Sequence, residues 1–211
     1  CINFTPSISC IFFMSIPKLL ISVSIKWGFP PACFIALTVP TNVMLGTKTS
    51  SFLSTLDNSF LPYFINSAVS EGIKNISIII DPKLSSEKDI KIFKMRTNGY
   101  FGEYSRINNL LFTLNKQSIP FYFVDKHTSE SAKILYEKLE VDCLINVNAG
   151  APRKITKSIL DVVKNGVINI HPGILPFYRG CSCVEWAIHN DDPIGNTAHF
   201  MDQNYDSGPI I

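Results

Sequence analysis

The first 50 residues of this 211-residue chain contain no aspartate or glutamate, although the whole chain holds 17 acidic residues. The surface of a soluble domain carries charges of both signs, so this absence argues against a folded domain there. The stretch also contains five prolines, which interrupt helices and strands alike. We therefore expect residues 1–43 to be a non-native or disordered leader, with a membrane-associated segment or a genuine extension as alternatives. Met44 is then a candidate start.

The chain also lacks a long uninterrupted apolar run. A transmembrane helix needs about 20 consecutive, predominantly apolar residues, and Pro17, Lys18 and Lys26 break every candidate near the beginning of the chain. A secretory signal peptide would show a basic start and a cleavage site of small residues, and neither is evident. We expect no membrane partner and a cytoplasmic location.

The six cysteines have neither the spacing of a disulfide framework nor that of a metal site. Cys181 and Cys183 are too close together for an ordinary metal-binding pair, and no second pair or suitably spaced histidine accompanies them. Thiols stay reduced in the cytosol. We therefore expect free thiols and no metal. The net charge of +2 argues neither for nor against a nucleic-acid partner.

Apolar segments of two kinds alternate along residues 44–211. Short runs rich in isoleucine, valine and phenylalanine predict strands, and stretches with apolar residues three and four apart predict helices. The predicted strands are 42–46, 76–80, 121–124, 143–147, 167–170 and 197–201. The predicted helices are 51–70, 106–117, 129–139 and 155–164, with 83–104 as an irregular insertion. This alternation predicts one α/β domain with an open, mostly parallel sheet and helices on both faces.

An amide and an imidazole lie at the end of one predicted strand. Asn169 and His171 are two positions apart, so on a strand their side chains point to the same face. Pro172 ends that strand, because proline cannot extend a hydrogen-bonded ladder. The carboxyl ends of strands are where open α/β sheets bind ligands. Asp206 follows far enough along the chain to return through a helix and a further strand, so it is a candidate third member of the site.

The segment 142–211 resembles the family of formyltransferases that use 10-formyltetrahydrofolate. The shared pattern is Asn-x-His followed by a Leu-Pro turn and Arg-Gly, all within 169–180, and then Asp-x-Gly at 206–208. The segments 186–188 and 197–202 are also similar to the family. The resemblance implies a Rossmann-like formyltransferase catalytic domain over residues 44–211, incomplete at its C-terminus.

The resemblance implies a reaction and three catalytic residues. An amine attacks the formyl carbon of 10-formyltetrahydrofolate, a co-substrate, and a tetrahedral oxyanion develops. Asn169 and a protonated His171 would donate hydrogen bonds to that oxygen. Asp206 would hold His171 in its charged form and take part in proton transfer through water. In similar proteins the backbone of the loop 149–155 contacts the pterin ring, and the segment 202–206 closes over the folate. The resemblance therefore implies cofactor-binding roles for Ala149, Gly150, Ala151, Ile155 and Asp202.

The acceptor stays open. The resemblance allows a small amine-bearing metabolite, either glycinamide ribonucleotide or a nucleotide-linked amino sugar, and methionyl-tRNA is a further candidate. Arg179 and Gly180 are candidates for positioning this acceptor. Gly173 stands where many members of the family carry serine, so the chain departs from the family pattern at this position. The alternative functions are a formyltetrahydrofolate hydrolase and a catalytically silent nucleotide-binding module.

The other histidines and Trp186 are interpreted as structural. His199 lies in a predicted strand of mixed character, and we expect it to support the fold. His127 and His189 are expected at the surface. Trp186 is expected to pack its helix onto the sheet.

Overall fold

The computed structural model of the protein describes residues 49–58, 61–70, 72–84, 86–96, 106–147 and 154–211. The proposed leader and the predicted strand 42–46 lie outside these residues. The described strands are β1 (Ser50–Thr55), β2 (Ile76–Asp81), β3 (Phe121–Phe123), β4 (Cys143–Asn146), β5 (Val167–His171) and β6 (Thr197–Phe200). The described helices are α1 (Leu61–Ser70), α2 (Glu87–Arg96), α3 (Arg106–Gln117), α4 (Glu130–Lys138), α5 (Lys157–Leu160) and α6 (Cys183–His189).

The strands form one sheet in the order β3-β2-β1-β4-β5-β6. All neighbouring strands are parallel except β6, which runs antiparallel to β5. The strand order reverses direction between β1 and β4, and such a reversal opens a crevice at the carboxyl ends of the strands. The predicted α/β fold with an open, mostly parallel sheet is therefore confirmed.

The apolar core lies in two layers, one on each face of the sheet. Neighbouring residues of a strand point to opposite faces, and Phe52 and Leu53 of β1 accordingly belong to different layers. Helices α1 and α3 cover the face that contains Phe52, with buried residues such as Leu61 and Leu110. Helices α4 and α5 cover the other face through residues such as Tyr136. The sheet is thus shielded on both sides, and its strand ends are the part of it that can meet a ligand.

Strand β1 occupies part of the predicted helix 51–70. Its serines are buried, and the Ser51 hydroxyl lies 2.7 Å from that of Ser77 in the neighbouring strand. This pairing satisfies polar side chains inside the sheet, which the sequence pattern of one segment does not show. The helix begins only at Leu61, and Pro62 sits in its first turn, where proline is tolerated.

Two other predictions are corrected. The segment 83–104 is not irregular throughout, because α2 forms within it. The predicted helix 155–164 is shortened to the single turn of α5, after which the chain turns so that the Asn165 amide donates to the Asp142 carbonyl. Gly166 follows in the left-handed region with φ of 83° and leads directly into β5. This turn brings β5 alongside β4, which places the predicted site residues beside the end of β4.

Candidate active site

The Asn169 amide meets another amide at the edge of the sheet. Strands β4 and β5 are in register with Asn146 opposite Asn169. Asn146 Nδ2 donates to Asn169 Oδ1 over 3.1 Å. This contact fixes which way the Asn169 amide points: its oxygen faces β4, and its NH2 group faces β6.

His171 is buried and meets acceptors at both ring nitrogens. Nε2 lies 2.8 Å from the Tyr178 carbonyl oxygen, and Nδ1 lies 3.4 Å from Asp206 Oδ1. A neutral imidazole has one donor and one acceptor nitrogen, whereas the imidazolium donates from both. Each ring nitrogen of His171 therefore faces an oxygen that can accept a hydrogen bond from an N–H group.

Asp206 reaches the site from the loop that follows β6. Its Oδ2 accepts a hydrogen bond of 3.0 Å from the Gly180 amide, so the carboxylate is held by the loop that also carries Tyr178. Gly208 allows this loop to fold back closely, because a Cβ there would lie 1.9 Å from the Phe200 carbonyl oxygen. The Phe200 amide donates to the Pro209 carbonyl, which holds the returning chain against β6.

His199 lies between the amide and the carboxylate, a position that the sequence interpretation missed. It is buried on β6, where the antiparallel register places it opposite Asn169. Asn169 Nδ2 donates to its Nε2 over 3.2 Å, and its Nδ1 donates to the Phe200 carbonyl over 2.9 Å. Asp206 Oδ1 lies 3.6 Å from the same Nε2, just beyond hydrogen-bond distance. The antiparallel pairing of β6 creates this contact, and no local pattern in the sequence signals it.

The loop between β5 and α6 wraps around His171. Thr197 Oγ1 donates to the Gly173 carbonyl over 2.7 Å and accepts from the Leu175 amide over 3.0 Å, so β6 holds the start of the loop. The peptide bond between Leu175 and Pro176 is cis. Arg179, predicted to position an acceptor, lies exposed in this loop. The loop thus supplies main-chain groups to both His171 and Asp206.

The predicted cofactor-binding residues have different positions. Ala149, Gly150 and Ala151 lie outside the described residues. Ile155 is buried with its side chain in the apolar core, so it could meet a ligand only through its main chain. Asp202 accepts from the Asn204 amide and from the Ser207 hydroxyl within its own loop. Their assignment as ligand contacts remains a prediction.

The prediction that His127 lies at the surface is wrong. Its side chain is buried, and Nδ1 lies 2.9 Å from Asp81 Oδ2 at the carboxyl end of β2. The Tyr136 hydroxyl donates to the His127 carbonyl, which explains how a helix on the same face holds this segment. His189 is exposed, as expected. Trp186 is also exposed, with 56% of its surface accessible, so it does not pack α6 onto the sheet.

Two features are absent from the described part of the chain, namely a metal-binding cluster and a membrane-spanning helix. Among these residues, no group of three or more histidine, cysteine, aspartate or glutamate side chains is arranged to hold a metal ion. None of the helices described here is both long and apolar enough to cross a membrane.

The fold and this cluster define an α/β protein whose polar site lies at the carboxyl ends of parallel strands, beside the reversal of strand order. The family model described as formyl transferase matches residues 65–211. The chain belongs to this formyl transferase family, and the resemblance seen in the sequence is confirmed.

The chain is similar to curated methionyl-tRNA formyltransferases over a limited length. It is 42% identical to that of Clostridium tetani over 76 residues, which are 36% of this chain and 24% of the relative. It is 38% identical to that of Clostridium beijerinckii over 98 residues, which are 46% of this chain and 31% of the relative. The matched parts therefore span about a quarter to a third of these relatives.

Solved structures show the same fold at lower identity. Glycinamide ribonucleotide transformylase 1 from Symbiobacterium toebii superposes with a TM-score of 0.54 at 19% identity, covering 77% of this chain and 70% of that one. A phosphoribosylglycinamide formyltransferase from Anaplasma phagocytophilum gives a TM-score of 0.52 at 21% identity, covering 78% of this chain and 70% of that one. These likenesses concern the fold alone.

Proposed function

We propose that the protein transfers a formyl group from 10-formyltetrahydrofolate to an amine acceptor. The observation that carries the proposal is the 3.4 Å approach of His171 Nδ1 to Asp206 Oδ1 beside the Asn169 amide. These side chains come from β5 and from the loop after β6, and they meet where an α/β sheet binds its ligands. Membership of the formyl transferase family supports the same reaction.

Each member of the cluster has a chemical task in this proposal. When the amine attacks, negative charge develops on the formyl oxygen, and donors held in advance stabilise it. An amide NH2 carries two N–H groups, and the contact of Asn169 with His199 uses one of them. The imidazolium of His171 supplies a charged donor. Asp206 stabilises that charge and relays a proton, through water, from the attacking amine to N10 of the folate. The bond between the formyl carbon and N10 then breaks, and tetrahydrofolate leaves.

The experiment uses the full-length protein and a formyl donor carrying an isotopic label on its formyl carbon. Binding is measured first, by calorimetry with a stable 10-formylfolate analogue. Transfer is then measured with glycinamide ribonucleotide, a nucleotide-linked amino sugar and methionyl-tRNA as acceptors. We expect analogue binding and label transfer to one of the three.

The outcomes separate the alternatives. Label recovered only as formate would identify a hydrolase. Analogue binding without any turnover would point to a silent binding module. A folded full-length protein that does not bind the analogue would remove the formyl-transfer proposal altogether. The His171→Ala variant is the matched control for label transfer that does not depend on the site.

A further inference from the structure

A cysteine that the proposed reaction does not use lies directly behind His171. Cys183 begins α6, and its side chain is buried. Its Sγ lies 3.3 Å from His171 Nε2 and 3.3 Å from the Gly180 carbonyl oxygen. The carbonyl can only accept, so the S–H group donates to Gly180. The sulfur lone pairs are then turned toward the proton on His171 Nε2.

The thiol fits there because residue 173 is glycine. A Cβ at Gly173 would lie 2.9 Å from Cys183 Cβ, 2.9 Å from His171 Nε2 and 2.7 Å from the Tyr178 carbonyl oxygen. Two of these neighbours are the groups that surround the Nε2 proton. Gly173 and Cys183 therefore form a matched pair, in which the absent side chain of one leaves room for the other beside the imidazole.

Nucleophilic cysteines are also found beside an imidazole that contacts a carboxylate, but the surroundings of Cys183 oppose that role. Burial, and after it the negative charge of Asp206, raise the pKa of the Cys183 thiol. The thiolate is the nucleophilic form of cysteine, and this environment disfavours it. A neutral S–H that donates to a carbonyl can instead act as a fixed, weak acceptor for its neighbour.

We infer that Cys183 is a positioning residue that, together with the Tyr178 carbonyl, holds a proton on His171 Nε2. As a consequence, Nδ1 is the ring nitrogen that faces the substrate. Both groups approach the same ring nitrogen, at 3.3 Å and 2.8 Å. With Nε2 occupied in this way, Nδ1 is the nitrogen that remains next to Asp206. The kinetic consequence of this inference rests on the proposed formyl transfer, whereas the position of the proton does not.

The test combines nuclear magnetic resonance with kinetics on the full-length protein. In protein labelled with nitrogen-15 histidine, the His171 signals are assigned by their loss in His171→Gln. We expect a protonated Nε2 in the wild type, in Cys183→Ser and in the control Cys181→Ala, and an altered Nε2 signal in Cys183→Ala. Cys181 is a matched control because it is exposed and lies two residues away.

In the transfer assay, we expect Cys183→Ala to lower kcat by about 2- to 10-fold with little change in KM, since one hydrogen bond of ordinary strength is lost. Cys183→Ser keeps an acceptor of similar size, so it should restore most of the activity and guards against a folding defect in the alanine variant. If Cys183→Ala left both the His171 signals and kcat unchanged, the inference would be overturned. If Cys183→Ala altered the His171 signals but the wild type showed no transfer activity, the inference about Cys183 would be upheld and the proposed function would be refuted.

Discussion

Asn146 Nδ2 donates a hydrogen bond to Asn169 Oδ1 over 3.1 Å, so a residue of one strand sets the orientation of an amide on the next. Register alone brings the two together, because β4 and β5 pair with these positions opposite each other. A side chain of the neighbouring strand thus decides whether Asn169 presents N–H groups or an oxygen toward β6.

Replacing this partner should weaken catalysis without removing it. In Asn146→Leu the Asn169 amide loses its fixed orientation, and we expect kcat to fall by about 2- to 10-fold, the value of one ordinary hydrogen bond. Steady-state kinetics with the acceptor identified in the transfer assay would measure the change. Asn165→Ala, which alters an exposed asparagine just before β5, is the control. An Asn146→Leu enzyme as fast as the control would show that Asn169 is oriented by other groups.

His171 and Asp206 should act as one unit in catalysis. We expect His171→Ala and Asp206→Asn each to lower kcat by about 100- to 1,000-fold, the usual cost of losing an oxyanion donor. The double variant should be little slower than either single one, since the carboxylate acts through the imidazole. Asn169→Ala should be similarly damaging. Near-normal kcat in both single variants, with unchanged thermal unfolding, would show that the catalytic assignment is wrong.

The buried pair of Asp81 and His127 should matter for stability rather than for turnover. His127→Ala removes the imidazole that lies 2.9 Å from the buried Asp81 carboxylate, and losing a hydrogen bond to a charged group costs about 1.5–3 kcal/mol. Urea unfolding of the variant would measure this loss. His189→Ala, at an exposed histidine, should stay within about 0.5 kcal/mol of the wild type. A loss equally small in His127→Ala would mean that the pair is energetically unimportant.

Alkaline pH should destabilise the fold through two buried groups. Burial raises the pKa of Cys143 from 9.0 to about 12, with a smaller contribution from Asp142, and burial also raises the pKa of Tyr136. The unfolded chain releases these protons first, so the free energy of unfolding is at its full value below about pH 9 and falls as the pH rises beyond it. Urea titrations between pH 8 and pH 11 would show the decline.

A control separates these two groups from general base denaturation. Combining Cys143→Ala with Tyr136→Phe removes both ionisations, so the decline between pH 9 and pH 11 should become shallower even though the variant starts from a lower stability. An unchanged slope would mean that other groups govern alkaline unfolding.

The fold was predictable where a pattern had one interpretation. Helix α3 has the boundaries predicted from its apolar spacing, 106–117. Apolar residues three and four apart over three turns are typical of a helix and do not fit the alternation of a strand. Strand β1 was mistaken for helix because its buried serines look polar, and their partners lie on the neighbouring strand. Helix α2 was missed because six of its ten residues are charged, so its sequence shows little apolar periodicity.

The site was predictable only in part for the same physical reason. The shared face of Asn169 and His171 follows from strand geometry, and the resemblance to the formyltransferase family pointed to Asp206. The supporting residues Asn146, His199 and Cys183 come from three other elements. They meet the site through strand register and helix placement, which are properties of the assembled sheet and not of any one segment.

The aspartate and the glycine of the motif Asp-x-Gly at 206–208 serve different purposes. The glycine allows one backbone to pack against another, since a Cβ would overlap the Phe200 carbonyl, whereas Asp206 is the residue to which we assign a role in the reaction. We expect Gly208→Ala to reduce thermal stability and Asp206→Asn to leave it nearly unchanged, as thermal melts would show. In a descendant that abandoned the reaction but kept the fold, drift would erase the aspartate first, and the surviving glycine would mark where the active site had been.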